Sequence, residues 1–246
     1  MPRWSRAAVA IAAALPLVVL QPGVAQAAGN AKAYKLLSQA NGAGPIARWN
    51  PCAGPIDYRV NLTRAPKNSL TEVQTAFTNV AQATGLTFRY AGTTTAVPAA
   101  NKGYSGTYPA GTEIVIAWVT PGVQSSMLPK TQTTAGMGGY MARTAYTASG
   151  AQAWGMTEGR VVLNATLTAK MARGFTAGRN GTTGQLLMHE IGHAVGLDHP
   201  KIADQYEIMY PVLTTKKAVW GAGDLVGLRL VGKNAGCLYA QNPQKS

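Results

Sequence analysis

The sequence predicts an α/β chain, and three observations carry that expectation. Glu113 to Val119 is β-branched and nearly continuous in its apolar character, as a strand buried on both faces must be. Leu70, Val73, Phe77 and Val80 recur at helical spacing behind Ser69-Leu70-Thr71-Glu72, which reads as a capping box. A second helical stretch follows in the last third of the chain. The order strand, helix, strands, helix then predicts an α/β sandwich, with one helix behind the sheet and the other beneath it.

The elements follow in chain order. Met1 to Arg6 is a short basic head, Ala7 to Leu20 is apolar and uncharged, and Ala25-Gln26-Ala27 fits a small-x-small cleavage site. Residues 1–27 therefore read as an export signal. The apolar run, interrupted by Pro16, is short for a bilayer span. The mature protein is expected to be secreted and extracellular, with no membrane anchor. Residues 28–50 are rich in Ala, Gly and Asn with little periodicity, and read as a leader or short pro-segment. Residues 51–246 read as one domain. Within it, Ile56 to Asn61 alternates as a strand does, Gly85 stops the first helix, and Leu86 to Tyr90 is a second strand. Ala135 to Ala142 reads as a flexible edge strand interrupted by Gly136, Gly138 and Gly139, and Arg160 to Asn164 as another short strand.

Composition narrows the partners. The formal charge is +13, from 22 basic and 9 acidic residues. The basic residues are scattered and do not alternate with aromatics, which argues against a specific nucleic-acid surface. Attraction to acidic substrates or anionic polymers is compatible with the charge, as is a generally basic secreted surface. Cys52 and Cys237 are the only cysteines. In an exported protein such a pair is expected to form a disulfide, contributing roughly 4–5 kcal/mol in the chain-entropy model. The competing reading, Cys52 blocking a metal, would strand Cys237.

All three histidines of the chain lie in His189-Glu190-Ile191-Gly192-His193-Ala194-Val195-Gly196-Leu197-Asp198-His199. Chance placement of the pattern H-E-x-x-H-x-x-G-x-x-H in this composition is on the order of one in a million. On a helix capped by Thr182 or Thr183, with Thr182 and Gln185 reading as a capping box, His189 and His193 stand one turn apart on one face, with Leu187 and Ile191 turned to the core. Gly196 ends the helix with a positive-φ turn, which lets His199 return. Three imidazoles at this spacing suit one zinc ion with a fourth position open for water, a catalytic arrangement. Glu190 is the carboxylate placed to accept the water's proton. Asp198 reads as an ordinary loop aspartate, the other reading being a carboxylate that supports one of the ligands from behind.

The stretch from His189 to His199, followed by Ile208-Met209-Tyr210-Pro211, resembles the metzincin metallopeptidases with their zinc helix and Met-turn. Within them it is most similar to the matrixin branch, and Trp220 to Gly232 resembles the final helix of that branch. The resemblance implies a twisted, mostly parallel sheet with an antiparallel edge strand, a backing helix, a zinc helix and a C-terminal helix. It implies a monomeric zinc endopeptidase acting on polypeptides, with zinc on His189, His193 and His199 and Glu190 as general base. Met209 would form the floor under the metal. Substrate would lie against the edge strand at Gly138, Gly139 and Tyr140, with Pro211 and Val212 lining the pocket after the scissile bond. With nine acidic residues and no acidic loop, calcium binding stays open. The other readings are a catalytically silent metal-binding adhesion or effector module and a zinc hydrolase of cell-wall peptides.

Overall fold

Six consecutive residues, Ile114–Val119, are buried on both faces, as their apolar run requires. They form the middle of the sheet in the computed structural model, which describes residues 26–39, 43–99, 108–130 and 133–244. The basic head and apolar run of the export signal lie outside the described residues. No described helix is long and apolar enough to cross a membrane.

Six strands form the central sheet: β2 (Ala47–Arg48), β3 (Ile56–Asn61), β4 (Phe88–Thr93), β5 (Ile114–Val119), β6 (Gly136–Tyr146) and β7 (Gln152–Asn164). The pairs β3–β4, β3–β5, β5–β7 and β2–β7 are parallel, and β6 closes one edge antiparallel to β7. The sheet is therefore mostly parallel with an antiparallel edge strand. A separate antiparallel pair joins β1 (Lys35–Leu36) to β8 (Leu197–Asp198). The helices are α1 (Ser69–Thr84), the short α2 (Ala165–Thr168), α3 (Thr183–Ala194) and α4 (Ala222–Val231).

Alternation decides which face is covered. Ile56, Tyr58 and Val60 of β3, with Ile114, Ile116 and Trp118 of β5, join Val161 and Leu163 of β7 in one cluster. Both Val73, Phe77 and Val80 of α1 and Leu187, Met188 and Ile191 of α3 pack into that cluster. The two long helices thus share one face of the sheet, and Phe77 stacks on Tyr58 with ring centroids 3.8 Å apart.

Two local expectations change in the folded chain. The capping box at Ser69 does not form: the N-cap is Asn68, with φ 63° and no side-chain capping bond. Glu72 instead pairs with Arg173 at 2.7 Å and accepts hydrogen bonds from Thr183 Oγ1 and the Gly174 N–H. A buried carboxylate with a guanidinium partner gains more there than at a solvated cap. Residues 28–50, too poor in periodicity to place from sequence, are built into the domain where they are described. Ala33, Leu36, Ala47 and Trp49 are buried, and Trp49 Nε1 donates to the carbonyl of Ala194 at the end of α3.

Cys52 and Cys237 form the expected disulfide across 185 residues. The bridge is flanked by Asn50, whose side chain bonds both the N–H and C=O of Leu238. Thiol titration of denatured, unreduced protein should find no free thiol. The Cys52→Ser/Cys237→Ser double variant should lose up to about 4–5 kcal/mol of stability. An unchanged melting temperature would contradict that loss.

Candidate metal centre

Helix α3 begins where Thr182, in extended conformation, accepts the Gln185 N–H through Oγ1. The Gln185 side chain does not complete a capping box; it bonds Thr214 through both its amide atoms. Every residue from Thr183 to Ala194 is buried. Gly196, at φ 114°, reverses the chain after the helix, and its N–H bonds the carbonyl of His193. The two residues of β8 then deliver His199.

The three imidazoles converge. His199 Nε2 lies 3.0 Å from His189 Nε2 and 3.2 Å from His193 Nε2. Zinc–nitrogen bonds of about 2.0–2.1 Å in a tetrahedron place nitrogens roughly 3.3–3.4 Å apart, so the observed spacing agrees to within a few tenths of an ångström. The outer nitrogens settle the tautomers. His189 Nδ1 lies 2.7 Å from the carbonyl of Ile208, and His193 Nδ1 lies 2.8 Å from that of Leu197. Carbonyls only accept, so both Nδ1 atoms carry the proton and both Nε2 lone pairs point inward. Burial drives His189 down to about 3 and His193 down to about 4, and lowers His199 as well. The cluster is thus neutral and donor-ready at pH 7. It is a set that one cation completes, and among the described residues it is the one such cluster.

Glu190 sits beside it, buried, with burial raising its carboxyl to about 8 against a hydrogen bond from the Gly138 backbone. The edge strand makes this fit possible. A Cβ on Gly136 would stand 2.7 Å from Glu190 Oε1, and one on Gly138 would overlap the Glu190 carbonyl and come within 2.9 Å of His193 Cβ. These two glycines are therefore close-approach positions between β6 and α3 rather than points of flexibility. Gly139 meets nothing within 4 Å.

A cavity of about 760 Å³ opens over the cluster, a size suited to part of a peptide chain. Gly136, Met137 and Gly138 line it, as do Pro211, Val212 and Leu213, with His189, Glu190, His193 and His199 among its other lining residues. Of the substrate positions suggested by sequence, Gly138, Pro211 and Val212 line the cavity. Gly139 and Tyr140 are on the same strand but do not. Tyr140 packs against the core. Met209 is buried, with its sulfur against Gly192: a Cβ there would lie 2.5 Å from Sδ.

Several supporting residues escaped the sequence reading. Asp224, buried in α4, accepts the N–H groups of Ile208, Met209 and Gly221. It thereby holds the turn whose Ile208 carbonyl orients His189. Burial and the neighbouring Glu207 raise its carboxyl to about 7. Its signal was the one acidic residue in a mostly apolar helix. Asp198 is more than a loop aspartate. Oδ1 accepts the His199 N–H at 2.8 Å, and Oδ2 pairs with Lys35 Nζ at 2.6 Å. No family model matches the chain, and no curated protein matches it.

Proposed function

We propose that this chain is a secreted zinc-dependent endopeptidase of the metzincin type, similar to the matrixins, cleaving polypeptides in the cavity over the histidine cluster. One observation carries the reading: two inward-facing unprotonated Nε2 atoms meet a third imidazole beside a buried carboxylate on an open cleft. The disulfide and the amino-terminal signal pattern support export.

His189, His193 and His199 would hold the zinc. When bound, zinc supplies Lewis acidity, lowering the pKa of water and polarising a carbonyl. Glu190 is the only ionisable carboxylate lining the cavity apart from Asp198, which Lys35 already holds. Burial favours the neutral form of Glu190, and a zinc ion beside it would favour the carboxylate, the form that accepts a proton from water and returns it to the departing amine. The exposed edge of β6 offers backbone groups for an extended chain to pair with. Met209 and Asp224 keep the floor and the Ile208 carbonyl in place beneath His189.

Casein hydrolysis by the purified protein should stop on chelation and return with zinc. His193→Ala should lose both metal and activity. Hydrolysis that survives complete metal removal would overturn the proposal.

The buried groups also dictate a pH response of the metal-free protein. His189 and His193 titrate near 6.5 when unfolded but at about 3 and 4 when folded. As pH falls below 6.5, protons therefore favour the unfolded chain, and stability is lost down to the folded values. Glu190 and Asp224 act oppositely. Their folded values of about 8 and 7 exceed the unfolded values of 4.5 and 3.8, so their stability is present at low pH and lost as pH rises through 7–8. The metal-free protein should be most stable near about pH 5–6. Glu190→Gln should flatten the alkaline decline. Melting temperatures across pH 4–9 check both statements, and a metal-free Tm that rises steadily to pH 8 would refute them.

A further inference from the structure

The acidic residues of this chain are fully committed. Of the nine, Asp57, Glu72, Glu158 and Asp198 are in ion pairs with Arg or Lys. Glu113, Asp204, Glu207 and Asp224 accept backbone N–H groups, and the ninth is Glu190. None of the nine is exposed, and with a formal net charge of +13 the protein attracts anions.

One cation stands in the cleft itself. Arg179 is exposed, lines the cavity, and pairs with none of the nine carboxylates. Its place is set by Gly181, two residues on. A Cβ on Gly181 would lie 2.6 Å from Leu213 Cβ and 2.9 Å from Gln185 Oε1. Gln185 in turn is bonded to Thr214 by both amide atoms. The loop at 179–181, the start of α3 and the 211–214 segment are thus fastened together, with Arg179 at the Leu213 end of the cavity. Leu186 and Leu213 supply apolar lining beside it. The lining thus combines apolar side chains with one guanidinium, a pairing that suits glutamate, whose methylenes lead to a carboxylate.

We propose that Arg179 is a specificity-determining residue that selects a carboxylate side chain adjacent to the scissile bond, on the flank nearest Leu213. The substrates are accordingly acidic polypeptides. The inference rests on the endopeptidase reading and deepens it. A guanidinium–carboxylate contact forms two parallel charge-assisted hydrogen bonds, which a glutamine or lysine cannot reproduce.

The test uses zinc-loaded protein and two peptide series of one sequence, with Glu, Gln or Lys placed immediately before or immediately after the cleaved bond. One series should show kcat/KM for Glu about 10–100-fold above Gln, with Lys lowest. The preference should shrink between low and high salt. Arg179→Glu should invert the order so that the Lys peptide leads, and Arg179→Gln should abolish the difference between Glu and Gln. Binding separates recognition from turnover. The Glu190→Gln protein should bind the Glu peptide more tightly than the Gln peptide, and Glu190→Gln/Arg179→Gln should not. Equal cleavage of Glu and Gln peptides in both series, or an Arg179→Glu protein with the original order, overturns the inference and leaves the endopeptidase reading standing. Failure to cleave any peptide, including casein, overturns both.

Discussion

Glu190→Gln is expected to remain folded and zinc-loaded while its peptide turnover falls by roughly 10²–10⁴-fold, the usual worth of a positioned general base. Three histidines already bring together nitrogens that could hold a metal ion, so the carboxylate is not needed to hold it. Its burial makes the substitution gentle on the fold. The site disfavours the charged form of Glu190, raising it to about 8, and a neutral amide of the same shape escapes that cost. The melting temperature of the metal-free variant at neutral pH should therefore equal or exceed that of the metal-free parent. Metal content, melting temperature and hydrolysis would be measured together. Near-normal turnover would remove Glu190 from the role of base. Loss of zinc would show that binding and catalysis cannot be separated at this position.

Gly138→Ala is expected to damage both stability and activity, although the change adds a single methyl group. That methyl would overlap the Glu190 carbonyl and press on His193 Cβ. The α3 backbone is buried throughout and Gly138 is held in the β6–β7 ladder opposite Val161, so relieving the overlap means shifting one element against the other. Overpacking of this kind costs about 1–3 kcal/mol. Displacing an edge strand by about an ångström beside reacting groups can cost on the order of 10²-fold in rate. Gly139→Ala is the matched control for stability: one residue along the same strand, it meets nothing within 4 Å. Its melting temperature should match the parent to within about 0.5 kcal/mol equivalent. Equal melting temperatures for the two variants would mean that β6 and α3 are not in the close contact described.

The contrast between Gly138 and Gly139 shows where sequence reasoning reaches its limit. From sequence, the glycines of this strand were alike, each an interruption of a β pattern. Their difference arises only when α3 is laid against β6. Glu72 teaches the same lesson. Its position three residues after Ser69 fits a capping box, yet Arg173 and Thr183, about a hundred residues away in the chain, draw its carboxylate into the interior. Lys35 and Trp49 lay in a segment without periodicity, but they brace Asp198 and the end of α3. Arg179 carried no pattern at all.

What the sequence determined by itself was local and periodic. Helical spacing sets His189 and His193 one turn apart whatever surrounds them, and Gly196 takes the positive φ its turn requires. The uninterrupted run at Ile114–Val119 demands burial on both faces, and the only two cysteines of the chain pair with each other. These follow from covalent geometry and hydrogen-bond periods, which a short stretch of residues carries within itself. Only the tertiary structure decided that Asp224 holds the turn bearing the Ile208 carbonyl, that Gly136 and Gly138 admit Glu190, and that Arg179 enters the cleft. Those contacts join residues remote in sequence, and which remote surfaces meet depends on how whole elements pack.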